Sequence, residues 1–208
     1  MKKEQYLEDI TEIKSILNRS SRFISLSGFS GVLAGVYSLI GAWVAYSLIQ
    51  HQYTMVAPLT RNNTSSLENS LLIVGVLVAL LSMATGIALT VRKANRNSDK
   101  IWDSSTKRLL INFGIPLITG GLFILVLLDA GMIGMIAPCT LIFYGLSCVN
   151  ASKYTIGTIR YLGIAEIILG LVATQYIGYG LHFWALGFGV FHIIYGTFMH
   201  FKYDQTIS

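Results

Sequence analysis

Charged residues are the scarcest feature of this sequence relative to an ordinary globular protein. Only 12% of its 208 residues are charged, whereas 53% are hydrophobic. A soluble domain usually carries about 25% charged residues, so this chain has little with which to cover a water-facing surface. The mean hydropathy of +0.62 agrees with that deficit. The composition excludes an ordinary soluble domain and predicts an integral membrane protein.

Cysteine is also rare, and the residues that usually build catalytic or metal sites form no recognisable pattern. The only two cysteines, Cys139 and Cys148, are nine residues apart, which places them on opposite faces of a helix and excludes a disulfide between them. The sequence has no HExxH, Glu-x-x-His or Cys/His cluster, no G-x-S-x-G elbow and no phosphate-binding loop. We therefore predict no enzymatic activity, no metal and no cofactor.

Long apolar runs are what the sequence has instead. A helix needs about 20 apolar residues to cross the hydrocarbon core of a bilayer, and it satisfies its own backbone hydrogen bonds there. Six runs qualify as candidate spans, at about 24–49, 71–91, 109–128, 131–149, 161–177 and 181–201. The predicted fold is an all-α integral membrane protein, in which residues 23–203 form a bundle of six transmembrane helices.

The basic residues predict the orientation of this bundle. Of the 15 Lys and Arg residues, all but Arg61 fall before the first span, between spans two and three, between spans four and five, or after span six. Basic residues collect on the cytoplasmic side of membrane proteins, so we predict that both termini are cytoplasmic. The net charge of +5 then follows from topology, and we predict no nucleic-acid partner. The polar residues 50–70 are predicted to form a loop on the outer side.

Glycines recur at matching places in the spans. Each odd span has two glycines seven residues apart, which is close to two helical turns and places both on one face. Each even span has one glycine near its cytoplasmic end. The predicted packing glycines are Gly28 and Gly35, Gly86, Gly114 and Gly121, Gly145, Gly163 and Gly170, and Gly196. Small residues let membrane helices approach closely, so the pattern favours three pseudo-repeated helical hairpins, although glycine is also simply common in membrane helices.

Six spans arranged as three hairpins, with glycine-rich odd helices and a late glycine in each even helix, resemble the HdeD-like acid-resistance membrane proteins. The stretch that carries most of the resemblance is the third hairpin, GIAEIILGLVATQYIGYGLHFWALGFGVFHIIYGTFM. The resemblance implies a bacterial inner-membrane protein linked to acid or envelope stress, and it carries over no defined chemistry. The chain departs from that pattern in its long first outer loop and in its N-terminal segment.

Residues 1–22 are predicted to form a cytoplasmic amphipathic helix. Tyr6, Ile10, Ile13 and Leu17 recur at helical spacing on an otherwise charged segment. The acidic residues of this segment argue against simple adhesion to lipid headgroups. We consider two interpretations: residues 4–17 bind a cytoplasmic protein or a second copy of the chain, or the helix packs on the loops of its own bundle.

Two ionisable residues lie inside predicted spans, where they are functional candidates by default. Glu166 is 13 residues before Tyr179, at the tip of the third hairpin, and His192 is 13 residues after it. An antiparallel pair of helices therefore places them at similar depth. Three interpretations stay open: a proton relay, a structural hydrogen-bonded pair, or no direct contact.

Prolines and tyrosines inside the spans are weaker candidates. Pro116 and Pro138 each leave a backbone carbonyl without its helical partner and favour a kink. Tyr144 and Tyr195 each precede a glycine of the repeat, and their hydroxyls are expected to reach neighbouring helices or the membrane interface.

The sequence thus supports two hypotheses on function. The first is a non-enzymatic membrane protein, associated with envelope or acid stress or with regulation, that acts through oligomers or partners in the bilayer. The second is a small proton-coupled transporter or channel that uses Glu166 and His192.

Overall fold

The computed structural model describes residues 27–55, 61–96 and 101–204, and nearly all of them are helical. The first five long helices are α1 (Gly28–Met55), α2 (Arg61–Arg96), α3 (Ser104–Asp129), α4 (Ile136–Ala151) and α5 (Ile159–Ala173). A short 3₁₀ turn, Ile133–Met135, leads into α4. The last helix, here called the C-terminal helix, consists of α6 (Gly180–Trp184), a π-helical segment (Ala185–Phe191), α7 (His192–Met199) and a second π-helical segment (His200–Asp204).

Five helices of the described part are long and apolar enough to cross a membrane. They are Gly28–Gln52, Ser66–Arg96, Ser104–Asp129, Ile133–Ala151 and Gly180–Lys202. Helix α5 has 15 residues, about 22 Å of rise, which is shorter than a hydrocarbon core of about 30 Å. These helices agree with the predicted class of all-α membrane protein.

The surface of the bundle is apolar. Large side chains such as Ile73, Leu125 and Ile168 are more than half exposed. Such a surface is unfavourable in water, because apolar area left in contact with water is not stabilised by burial, and extended exposed apolar patches mark membrane contact. The exposed side chains are therefore compatible with a location in the bilayer.

The connection between α1 and α2 is shorter than its polarity predicts. A loop is expected over residues 50–70, but α1 continues to Met55 and α2 begins at Arg61. Residues 61–70 contain neither glycine nor proline, so nothing interrupts the backbone hydrogen bonds where the sequence becomes polar. Hydropathy predicts which part of a helix lies in lipid, but it does not predict the residue at which the helix ends. The predicted helix over residues 1–22 lies outside the described residues.

Interhelical contacts place five helix ends at one end of the bundle. The start of α1 lies against the end of the C-terminal helix, where Gly28 faces the backbone of His200. The end of α4 lies against the start of α5, and Asn150 of α4 donates a hydrogen bond to the carbonyl oxygen of Asn112 near the start of α3. We call this the basic end of the bundle, because Lys107, Arg108, Lys153 and Arg160 flank these helix ends.

Six of the nine predicted packing glycines lie at close helix contacts. A Cβ atom on Gly163 would be 2.6 Å from the carbonyl oxygen of Gly145, and one on Gly35 would be 2.6 Å from that of Gly189. The six glycines are Gly28, Gly35 and Gly196 between α1 and the C-terminal helix, and Gly145, Gly163 and Gly170 between α4 and α5. Within the described residues, no other helix comes within 4 Å of the Cβ positions of the remaining three, Gly86, Gly114 and Gly121.

Candidate functional site

The two ionisable residues predicted inside the spans lie next to each other. Nδ1 of His192, on the C-terminal helix, is 3.5 Å from Oε1 of Glu166, on α5. The Glu166 side chain is fully buried and that of His192 is nearly so. Of the three interpretations that the sequence leaves open, the one without direct contact does not hold.

A third polar group, Tyr144 of α4, completes the cluster. Its hydroxyl is 2.7 Å from Nε2 of His192, and the two ring centroids are 5.2 Å apart. Tyr144 directly precedes Gly145, at which α4 approaches the backbone of α5. At these two adjacent positions α4 therefore contacts the C-terminal helix through Tyr144 and α5 through Gly145.

The hydrogen bonds of His192 define which ring nitrogen carries the proton in the neutral form. Nδ1 is 3.1 Å from the carbonyl oxygen of Gly187. A carbonyl only accepts, so Nδ1 donates to it, and Nε2 then accepts from the Tyr144 hydroxyl. This tautomer is assigned from the hydrogen-bond partners. It places the N–H of the imidazole on the side that faces Glu166.

The helix geometry beside His192 is unusual. The π-helical segment Ala185–Phe191 ends directly before it, and π-helical turns are rare and frequently found at functional sites. Gly187 lies in this segment, and a Cβ atom there would collide with Oε2 of Glu166 and with the side chain of Leu141. The absence of a side chain at Gly187 therefore lets the carboxyl group lie against the backbone of the C-terminal helix.

The carboxyl group of Glu166 is poorly compensated. Among the described residues, neither of its oxygens has a hydrogen-bond partner. Oε2 lies beside Gly187, where the side chains of Leu141 and Leu169 also approach. Buried polar groups in proteins are nearly always hydrogen-bonded, and an unpaired buried charge is costly. Whether this carboxyl group is protonated or ionised therefore depends on the imidazole beside it.

Glu166 and His192 are buried between packed helices, whereas Tyr144 is half-buried. Two surface grooves of the bundle, one between α3 and α4 and one beside Trp43 and His182, include none of the three side chains among their lining residues. In the described part of the chain, no group of three or more His, Cys, Asp or Glu residues is placed to hold a metal ion. The three side chains of the cluster can take part in hydrogen bonding and proton transfer.

The sequence predicts two members of this cluster, Glu166 and His192. For Tyr144 it predicts only that the hydroxyl reaches a neighbouring helix or the interface, and nothing in it distinguishes Gly187 from the other glycines of the spans. A polar hydroxyl within an apolar run was the available signal for Tyr144. The contact itself depends on the rotation of α4 about its axis, which the apolar pattern of the sequence does not define.

No family model, known protein or solved structure matches this chain. The resemblance to HdeD-like proteins therefore stays a prediction from glycine spacing and span number. The function has to be argued from the geometry of the Glu166–His192–Tyr144 cluster.

Proposed function

We propose that this protein is a multi-pass inner-membrane protein without enzymatic activity that responds to protons and acts through oligomers or partners, in acid or envelope stress or in regulation. In this proposal the chain forms six spans as three related hairpins, and both termini are cytoplasmic. The distribution of basic residues supports the orientation. The close packing of α5 against α4 supports a role for α5 as a sixth span despite its length.

The observation that carries the proposal is the buried Glu166 carboxyl group, which lies 3.5 Å from His192 and has no hydrogen-bond partner among the described residues. The pair has no net charge when it holds one titratable proton. That proton is either on the Glu166 carboxyl group, beside a neutral imidazole, or on His192, beside an ionised carboxylate. A second proton, or the loss of the first, leaves a net charge among apolar side chains, and such a charge is expensive to bury. Packing around the pair is therefore sensitive to proton uptake and release.

The position of His192 links this sensitivity to the rest of the bundle. Its ring stacks on Phe188 of the π-helical segment, with centroids 5.8 Å apart. The same segment packs on α1 where Gly189 meets Leu39. A change in the charge of the pair can thus alter how the C-terminal helix packs on α1. Besides Glu166 and His192, the titratable side chains of Cys148 and Tyr195 also lie close to Tyr144.

Tryptophan fluorescence offers a direct test, because Trp184 borders the π-helical segment and its ring lies 5.3 Å from that of Phe188. We expect the Trp184 emission of the protein in liposomes to titrate with pH in a Trp43→Phe, Trp102→Phe background. Glu166→Gln keeps the shape of the side chain but cannot ionise, so it should abolish this titration or, if His192 alone still titrates, shift it strongly.

The matched control is Asp129→Asn, which removes an exposed carboxylate at the end of α3 remote from the cluster. It should titrate as the parent protein does. A Glu166→Gln protein with an unchanged titration would contradict the proposal, as would a parent protein whose emission is independent of pH between about 4 and 9, the range in which carboxyl and imidazole groups titrate when moderately perturbed.

Proton-coupled transport through Glu166 and His192 is a second candidate function. The observation that favours it is the connection of three polar groups from three different helices, because intramembrane chains of acidic and histidine residues recur in proton pathways. Liposomes loaded with a pH-sensitive dye would reveal proton flux, and Glu166→Gln should abolish it. Absence of flux in the parent protein, or equal flux in the variant, would exclude transport and leave the first proposal standing.

A further inference from the structure

A groove of about 450 Å³ runs along the surface of the bundle between α3 and α4, and its lining includes none of the side chains of Glu166, His192 and Tyr144. Phe143, Leu146 and Val149 of α4 form one wall, and Pro116 of α3 contributes to the other. Lys153 lies at one end of the groove, just beyond the end of α4. The groove is therefore apolar along its length and basic at its mouth.

A specific hydrogen bond holds the two walls in place. Pro116 has no N–H, so the carbonyl oxygen of Asn112, four residues earlier, lacks its usual helical partner. The side-chain amide of Asn150 donates to that oxygen at 2.8 Å. Deeper in the bundle, Gly120 lies against the ring of Phe143. The groove thus lies beside two fixed contacts between α3 and α4.

The length of the groove corresponds to one leaflet of a bilayer. From Phe143 to Ala151, the last residue of α4, the helix rises roughly 12 Å, and Lys153 lies just beyond it. Half of a hydrocarbon core of about 30 Å is about 15 Å, so the groove and the lysine at its mouth cover most of one leaflet. An acyl chain that starts at the membrane interface beside Lys153 would reach Phe143 at about the bilayer centre.

The positive charge of Lys153 at the mouth of the groove favours a phospholipid with an anionic headgroup. Lys153 is exposed at the mouth of the groove. Lys107 and Arg108 at the start of α3 add to the positive potential of the same end. Basic pockets between membrane helices bind anionic lipid headgroups. A zwitterionic headgroup would not gain the same attraction.

We propose that this groove binds an anionic phospholipid of the leaflet at the basic end, with one acyl chain along Phe143, Leu146 and Val149 and its phosphate on Lys153. The proposal is independent of the proton-sensitive cluster. A lipid held here would occupy the surface formed by α3 and α4 and bridge the two helices.

Lipid retention measures this binding directly. The protein is released from nanodiscs that contain equal parts of phosphatidylglycerol and phosphatidylcholine, and native mass spectrometry counts the bound lipids. We expect the parent protein to retain phosphatidylglycerol selectively. Lys153→Gln should lower this preference about fivefold, since one basic side chain near an anionic lipid surface contributes about that factor.

Two further variants complete the test. Lys107→Gln removes the same charge at the same end but outside the groove, where the ammonium lies 5.9 Å from the Trp102 ring centroid, and it should lower the preference much less than Lys153→Gln does. Leu146→Trp fills the groove from an exposed position and should reduce retention of both lipids. An unchanged Lys153→Gln protein, an equal loss in Lys107→Gln, equal retention of both lipids by the parent, or full retention by Leu146→Trp would overturn the proposal.

Discussion

The effect of replacing a glycine in this protein depends on which atoms lie beside its Cα. At Gly163 an added Cβ would lie 2.6 Å from the carbonyl oxygen of Gly145 and 2.9 Å from Cβ of Cys148. At Gly121 no atom lies within 4 Å. The first position is at a contact between helix backbones that has little freedom to move, whereas the second faces open space, although both belong to the same seven-residue pattern.

Alanine substitution should separate these two positions. Gly163→Ala forces α4 and α5 apart, and we expect it to lower the free energy of unfolding by about 1–3 kcal/mol, the usual cost of overpacking. Gly121→Ala should be neutral or stabilising by up to about 1 kcal/mol, because it only removes backbone freedom from the unfolded chain. Denaturant unfolding in mixed micelles, followed by circular dichroism, measures both. Equal destabilisation of the two variants would show that α3 packs through Gly121 as tightly as α5 packs through Gly163.

The candidate pair illustrates what the sequence can predict for single residues. Glu166 and His192 stand out because ionisable side chains are rare in apolar runs, and equal distance from a hairpin tip predicts equal depth. Whether they touch depends on how α5 and the C-terminal helix are rotated, and the π-helical segment before His192 changes that rotation. Helical periodicity assumes 3.6 residues per turn, so it cannot predict the side-chain directions that follow such a segment.

Among whole elements, the apolar runs located the helices better than they located helix ends. The apolar run over 71–91 lies within α2, but α2 extends from Arg61 to Arg96, because polar residues without glycine or proline continue a helix beyond the lipid.

Contacts between helices are also beyond what the sequence predicts, as Pro116 shows. Its sequence position predicts that the carbonyl of Asn112 loses its partner, whereas the replacement donor, Asn150, follows only from the register of α4 against α3. Pro138, expected to favour a kink, lies in the first turn of α4, where the missing N–H disrupts no helical hydrogen bond.

For the whole molecule, the number of membrane crossings depends on α5. Five helices of the described part are long enough to span, and an odd number of spans would place the two termini on opposite sides. The positive-inside pattern instead predicts an even number, which would make α5 the sixth crossing. A helix of 15 residues can cross if it lies against longer neighbours and the bilayer thins locally. The packing of Gly163 and Gly170 against α4 provides such a neighbour.

Cysteine labelling on either side of α5 tests this topology. Gly157 precedes α5 with open space around its Cβ position, and Tyr179 follows α5 and is largely exposed. In a background without Cys139 and Cys148, we expect a membrane-impermeant maleimide to label Tyr179→Cys in intact cells and to label Gly157→Cys only after the membrane is opened. Labelling of both in intact cells, or of neither, would mean that α5 enters and leaves the bilayer on one side. The Glu166–His192 pair would then belong to a re-entrant segment, and the positive-inside pattern would no longer place the two termini together.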